Sequence, residues 1–118
     1  MNDKAELIAS ARFASRFFRV FISIRAKYNL DYDELIIFFA LGRLNFDPSQ
    51  APMMFVKPTN IVSLAEFVCI PRETLRRKLV RLEEKDLVHR TSYGFVVKDL
   101  MLWRRISEMG HLGLELEA

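Results

Sequence analysis

The charged side chains with the clearest chemical use in this sequence lie between residues 71 and 85. On a helical wheel, Leu75, Leu79 and Leu82 share one side with Pro71, which leaves the opposite side to charged groups. A guanidinium can donate two hydrogen bonds to O6 and N7 of guanine, and a carboxylate can accept one from N4 of cytosine. The segment therefore carries groups suited to reading base edges. These groups are Arg72 at the N-terminal tip, Glu73, Thr74, Arg77, Arg81 and Glu84 opposite the leucines, and Arg76 at their flank.

Positive charge also concentrates around this segment. Residues 57–98 carry nine basic and five acidic groups, whereas residues 1–56 carry seven and six, and residues 99–118 carry two and four. Neutralising nucleic-acid phosphates requires such a local excess, although a solvated surface can produce the same imbalance. Lys78 and Lys85 fall beside the charged side of the wheel, where phosphate contact or simple solvation is predicted.

Two helices separated by a tight turn are predicted to position these side chains. Ser63 and Glu66 have the spacing of a capping box, which predicts a helix that begins there and ends near Val68. Residues 69 and 70 form the turn, and Pro71 suits the first position of a second helix that runs to about Lys85. This spacing predicts a helix-turn-helix.

A β-hairpin is predicted directly after the second helix. Residues 87–90 and 95–97 are rich in strand-forming side chains, and residues 91–94 between them end in a glycine. A hairpin in this position is a wing. Two interpretations of Arg90 and Tyr93 stay open with equal weight: contact with a minor groove or phosphate, or exposure without contact.

Residues 4–28 predict a long amphipathic helix, because no proline or glycine interrupts their helical periodicity. Phe18 and Ile22 widen its apolar side beyond what one neighbouring helix covers, so a second buried contact is expected, most simply with a partner chain. The other side carries a basic stripe for which solvation is favoured over a membrane or nucleic acid. The stripe comprises Arg12, Arg16 and Arg19, and the predicted homodimer interface comprises Phe13, Phe17, Phe18, Phe21 and Ile22.

Three further elements complete the prediction. Asp31 and Glu34 form a capping box for a helix to about Asn45, whose apolar centre, residues 35–41, should be enclosed on all sides; a buried strand is the weaker alternative. Three prolines make residues 47–60 a loop, with residues 53–56 as a candidate edge strand. Asp99 should cap a last helix over residues 100–109 that stops at Gly110, before an acidic tail.

Residues 63–88 resemble the winged helix-turn-helix of bacterial regulators of the cyclic-nucleotide-receptor type, and more loosely those of the MarR and GntR types. The resemblance lies in the run SLAEFVCIPRETLRRKLVRLEEKDLV and covers about 35 of the 118 residues when the hairpin is included. In the first family an Arg-Glu-Thr-x-x-Arg run opens the recognition helix and reads bases. The resemblance therefore implies the same role for Arg72, Glu73, Thr74 and Arg77, which the helical wheel also selects.

The sequence departs from that family at three points. Cys69 and Asp86 stand where the family usually has glycine, so the turn around Cys69 is expected to deviate from left-handed geometry. No nucleotide-binding β-barrel precedes the motif, so control by a cyclic nucleotide is not implied. Two helices stand there instead, which is more similar to MarR-like dimers, whose helices outside the winged domain build the dimer interface.

Several classes of function find no support in the residues. Cys69 is the only cysteine, so an internal disulfide and a cysteine-based zinc site are excluded, and a turn residue is a better interpretation of it than a redox sensor. No phosphate-binding loop, metal-ligand spacing or nucleophile motif is present, so we predict neither an enzyme nor a cofactor. The longest apolar run has seven residues and no signal peptide is recognisable, which predicts a cytoplasmic protein without a membrane span.

Together these patterns predict a mainly α (α+β) winged-helix protein. Its parts are an N-terminal helical hairpin over residues 1–46, a loop over 47–60, the winged helix-turn-helix over 61–98, and a C-terminal helix and tail over 99–118. The predicted function is sequence-specific binding of double-stranded DNA by a homodimeric transcription regulator, with any small-molecule effector unknown. The alternative is a winged helix used for protein–protein interaction without DNA contact.

Overall fold

The computed structural model describes residues 3–46 and 56–117, with side chains up to residue 108. This part of the chain is mainly helical, with a small antiparallel sheet, as the sequence predicts. Its elements are α1 (Asp3–Tyr28), α2 (Tyr32–Asn45), α3 (Ile61–Val68), α4 (Arg72–Glu84), β1 (Val88–Thr91), β2 (Gly94–Val97) and α5 (Leu100–Glu117). Most of the predicted loop and residues 53–55 of the candidate edge strand lie outside the described residues. No helix in the described part is long and apolar enough to span a bilayer.

Helix α1 divides the predicted dimer interface into two groups. Phe17 and Phe21 are partly buried against the core of the chain, and Phe13 is partly buried beside Phe17. Phe18 and Ile22 are 57% and 47% exposed. Of the predicted interface, only these last two residues are therefore exposed enough to pack against another molecule without a rearrangement of the chain.

Helix α2 begins with the predicted capping box and confirms the helical interpretation of residues 35–41. The backbone N–H of Glu34 donates to Asp31 Oδ1 over 2.7 Å, and the backbone N–H of Asp31 donates to Glu34 Oε1 over 2.8 Å. The expectation that α2 is enclosed on all sides is wrong, because Ile36 and Phe39 are 47% and 39% exposed. These two side chains line an open apolar groove of about 560 Å³ between α1, α2, α3 and α5.

Two ion pairs join the start of α2 to α4. Lys78 Nζ donates to Asp31 Oδ2, and Arg81 Nε lies 3.3 Å from Oε2 of the fully buried Glu34. Partial burial raises the pKa of Asp31, but hydrogen bonds from Lys78 and from the backbone N–H of Glu34, together with the charge of Lys78, outweigh it. The pKa of Asp31 therefore lies below its ordinary value.

This shift predicts how acid destabilises the fold. Because the pKa of Asp31 is lower in the folded than in the unfolded chain, its ionised form stabilises the fold above the unfolded pKa, and this contribution disappears as the pH falls through the folded pKa. We expect the urea midpoint of the wild type to fall more steeply below about pH 4 than that of Asp31→Asn, which keeps a capping oxygen but cannot ionise. Identical acid dependence of the two proteins would assign Asp31 no such role.

A buried asparagine ties the end of α2 to the outer edge of β2. Asn45 is fully buried, and its Oδ1 accepts the backbone N–H of Val97 over 2.8 Å. Its Nδ2 donates to the carbonyl oxygens of Lys57 (2.9 Å) and Phe95 (3.1 Å) and to Thr59 Oγ1 (3.1 Å). Backbone hydrogen bonds of 3.0 and 2.9 Å between Thr59 and Phe95 add a one-residue bridge to the hairpin. The edge of β2 is thereby satisfied from within the chain.

Two glycines permit close contacts around this framework. Gly94 has φ +140°, and a Cβ there would lie 2.6 Å from the carbonyl oxygen of Thr59. A Cβ on Gly42 would lie 1.9 Å from Nε1 of Trp103, whose indole N–H donates to the carbonyl oxygen of Phe39 over 3.0 Å. The lack of a side chain at Gly42 therefore allows Trp103 and α5 to pack closely on α2.

Helix α5 begins as predicted but does not end as predicted. The backbone N–H of Leu102 donates to Asp99 Oδ1 over 3.0 Å, and Leu102 and Ile106 are buried in the core. The expected stop at Gly110 is wrong, since the helix continues to Glu117. A glycine costs a helix interior only about 1 kcal/mol, and no proline follows to break the backbone ladder.

Candidate nucleic-acid interface

Helix α4 is held by three leucines and turns its charged residues outward. Leu75, Leu79 and Leu82 are fully buried, as their spacing of four and three residues predicts. Pro71 is exposed, so the prediction that it lies on the core side is wrong. It is the N-cap residue, so the predicted first helical position is wrong by one residue. Proline still fits there, because its ring fixes φ near the −56° that Pro71 has at this position.

Helix α3 comes first, and a tight turn connects it to α4. The N-cap of α3 lies three residues before Ser63, the residue that the sequence predicts for that role. Asn60 is the N-cap: its Oδ1 accepts the backbone N–H of Ser63 over 2.8 Å. The predicted capping box is therefore wrong, and Ser63 acts as the backbone donor to a cap formed by another residue. Asn60, a preferred N-cap residue at the end of the proline-containing loop, was the available signal.

The turn between α3 and α4 keeps left-handed geometry without glycine. Cys69 has φ 57° and ψ 40°, and its backbone N–H donates to the carbonyl oxygen of Ala65 over 2.9 Å. Asp86, after α4, has φ 61°. The expected deviation at Cys69 is thus absent, because this hydrogen bond and the burial of α3 and α4 offset the roughly 1–2 kcal/mol that a side chain costs in this conformation.

The N-terminal half of α4 presents the predicted base-reading groups to solvent. Arg72, Glu73, Arg76 and Arg77 are exposed, and Thr74 is half-buried. Arg76 Nη1 lies 2.6 Å from Glu73 Oε1, with both side chains more than half exposed. A surface pair of this kind is worth only about 0–1 kcal/mol, so either side chain can exchange it for another partner.

Arg72 and Arg77 differ from the other arginines of α4. Within the described residues, neither has an ion pair or a side-chain hydrogen bond of its own. Val80 lies on the same outward side and is 39% exposed, so an apolar surface large enough to meet a thymine methyl group stands beside Arg77. The sequence interpretation overlooked Val80, although its wheel position opposite Leu75 was visible.

Two other predicted DNA contacts already have partners in the chain. Lys78, with its side chain 22% exposed, binds Asp31, and Arg81 is paired with the buried Glu34. Both therefore extend toward the start of α2. Phosphate contact by Lys78 would compete with this ion pair, while Arg81, half exposed, could still face a phosphate with its outer nitrogens.

The hairpin forms one wall of a cleft beside α4. Strands β1 and β2 pair from Val88–Val97 to Thr91–Gly94, so only Ser92 and Tyr93 form the turn, which is shorter than the predicted residues 91–94. Tyr93, at the tip of the hairpin, is 82% exposed. The cleft, of about 350 Å³, is lined by residues of α4, the hairpin and the N-cap of α3, among them Asn60, Arg76, Arg90, Thr91 and Tyr93.

Arg90 is held in place within this cleft. Its Nε and Nη2 donate to Glu83 Oε1 over 3.1 and 2.9 Å, and its guanidinium lies 5.2 Å from the centre of the Phe95 ring. These contacts link the hairpin to the end of α4. Arg90 is exposed beyond them, so it can still meet a phosphate.

The described residues hold no group of three or more His, Cys, Asp or Glu side chains that could bind a metal ion. Comparison of the chain with family models, with curated proteins and with solved structures finds no match. Any function of α4 must therefore be inferred from the geometry and charge of its exposed side.

Proposed function

We propose that α3, α4 and the hairpin form a winged helix-turn-helix and that the protein binds duplex DNA as a homodimer, with α4 in the major groove. The observation that carries this proposal is the exposed N-terminal half of α4. Arg72 and Arg77 extend from it without an ion-pair partner among the described residues, and Arg76 has only a weak surface partner.

The order of the elements supports the same proposal. A one-residue bridge at Thr59 precedes α3 and α4, and the hairpin that follows pairs with that residue through Phe95. The bridge fixes the hairpin relative to α3, which begins two residues after Thr59. The arginines of α4 and the exposed tip at Tyr93 thus belong to one rigid surface, as docking on successive grooves and phosphates requires.

Salt dependence distinguishes this function from a protein-interaction module. If the chain neutralises about 6 to 10 phosphates, its affinity for a random 20-base-pair duplex should fall by about 10³ or more between 50 and 200 mM salt. Fluorescence anisotropy at four salt concentrations measures this slope. Selection from a random duplex pool would then return the preferred half-site.

The opposite result is equally clear. A chain that is folded by circular dichroism and yet shifts no duplex at 50 mM salt would exclude the proposed function and favour the protein-interaction alternative. Binding with a shallow salt dependence would exclude the phosphate contacts on which the proposal depends.

A further inference from the structure

The outward side of α1 carries a largely apolar stripe, which we define as Leu7, Ala11, Ser15, Phe18 and Ile22. All five residues are exposed, with Leu7 at 70% and Phe18 at 57%. Their spacing of four, four, three and four residues keeps them on one side of the helix over about 22 Å. Ser15 is the single polar member, and it lies at the middle of the stripe. Exposed apolar side chains along this length of a helix are typical of an interaction site.

The stripe is distinct from the side of α1 that packs on the chain. Phe17, Phe21 and Ile24 face the core, roughly 120° around the helix from the stripe. The N-terminal turns of α1 extend from the body: residues 3–8 are all exposed.

The stripe is complementary to a second copy of itself in the antiparallel direction. Pairing two α1 helices about a two-fold axis beside Ser15 places Leu7 opposite Ile22 and Ala11 opposite Phe18. Each large side chain then meets either a small one or one of similar size. Where the helices cross, Ser15 of each copy meets Ala14 of the other. Small residues at a crossing allow close approach, so the sizes along the stripe fit this arrangement.

The charges at the two ends of α1 favour the same direction. Its first turns carry Asp3 and Glu6 and are net negative even with Lys4 included, whereas its last turn carries Arg25 and Lys27. Antiparallel pairing brings the net negative end of each copy beside the positive end of the other. Asp3 of one copy then lies level with residue 26 of the other, between Arg25 and Lys27. Parallel pairing would set like-charged ends together, which is unfavourable.

We infer that a second copy of this chain covers the stripe, with the two α1 helices antiparallel. This inference deepens the proposed homodimer, but it does not depend on DNA binding. It assigns the contact to residues 7–22 on the outer side of α1 and not to Phe13, Phe17 and Phe21.

Solution mass without DNA tests the surface. Ala11→Arg places a charge against Phe18 of the other copy, and Ser23→Arg adds the same side chain to an exposed position on another side of α1. By sedimentation equilibrium, we expect the wild type and Ser23→Arg to dimerise and Ala11→Arg to dissociate about 100-fold more readily. A monomeric wild type, or equal behaviour of both variants, would overturn the inference, whatever the DNA titrations show.

Cysteine pairing tests the direction in a Cys69→Ser background, where no other cysteine remains. Ser15→Cys, which changes the side-chain size little, should form a disulfide-linked dimer, because residue 15 lies beside the two-fold axis. Leu7→Cys should not, because the two copies of residue 7 would lie about 22 Å apart, beyond the reach of a disulfide. A mixture of Leu7→Cys and Ile22→Cys chains should cross-link. Linkage of Leu7→Cys to itself would show a parallel pair and contradict the inference.

Discussion

Replacing both Arg72 and Arg77 by alanine is expected to remove the sequence preference of this protein while leaving its fold intact. The two side chains have no described partner inside the chain, and Leu75, Leu79 and Leu82 hold α4 without them. Each arginine that reads a guanine contributes about 1–3 kcal/mol, so the double variant should lose about 2–6 kcal/mol for each half-site of the preferred duplex, which is at least roughly 30-fold in Kd. Affinity for unrelated duplexes should fall much less.

The control is Arg105→Ala, which removes an arginine of α5 that is also exposed. Anisotropy titrations of both variants against the selected duplex and a scrambled duplex measure the ratio of affinities. We expect Arg105→Ala to keep the wild-type ratio. Equal, small losses on both duplexes for the Arg72/Arg77 variant would contradict base reading by α4.

Lys78→Ala is expected to lower the stability of the fold. The sequence alone assigns Lys78 to phosphate contact or simple solvation. In the fold it neutralises Asp31 at the start of α2, with its side chain only 22% exposed. Its replacement should therefore lower stability more clearly than it lowers specificity.

The local patterns of the sequence predicted the parts of the site that depend on nearest neighbours. The leucine spacing in α4 identified its buried side, and through it the exposed positions of Arg72, Arg76 and Arg77. The Asp31–Glu34 box likewise required only residues three apart. Such signals suffice because helical periodicity and capping are properties of single segments.

Long-range contacts account for most of what the sequence could not predict. Lys78 meets Asp31 across 47 positions, and nothing near either residue indicates that pairing. Ile36 and Phe39 looked buried because α2 is apolar on every side, but the helices around it leave one side open. Ser63 has the spacing of a capping box, but Asn60, which directly follows the bridge at Thr59, is the residue that caps α3.

Asn45 is the clearest example of a residue whose role depends on long-range contacts, and its replacement should have the largest effect on stability. Within an apolar helix it could pass for a solvent-facing residue near the helix end. In the fold its buried amide holds Val97, Phe95, Thr59 and Lys57 together. Asn45→Ala leaves the buried backbone N–H of Val97 and the buried Thr59 Oγ1 without this partner, whereas Phe95 keeps its hydrogen bond from Thr59 and the carbonyl oxygen of Lys57 is only partly buried. We expect a loss of about 3 kcal/mol or more in the free energy of unfolding.

Asn60→Ala makes the same chemical change at an exposed site where the side chain makes one capping hydrogen bond, to Ser63. That variant should lose about 1 kcal/mol. Urea unfolding measures both losses, and hydrogen exchange locates them: the amide of Val97 should lose its protection in Asn45→Ala but keep it in Asn60→Ala. Because Asn45 holds the hairpin on the end of α2, and α2 also packs against α4, Asn45→Ala should also weaken duplex binding at temperatures where the chain remains folded. Equal losses in the two variants, with Val97 still protected, would mean that the Thr59 bridge alone fixes the hairpin.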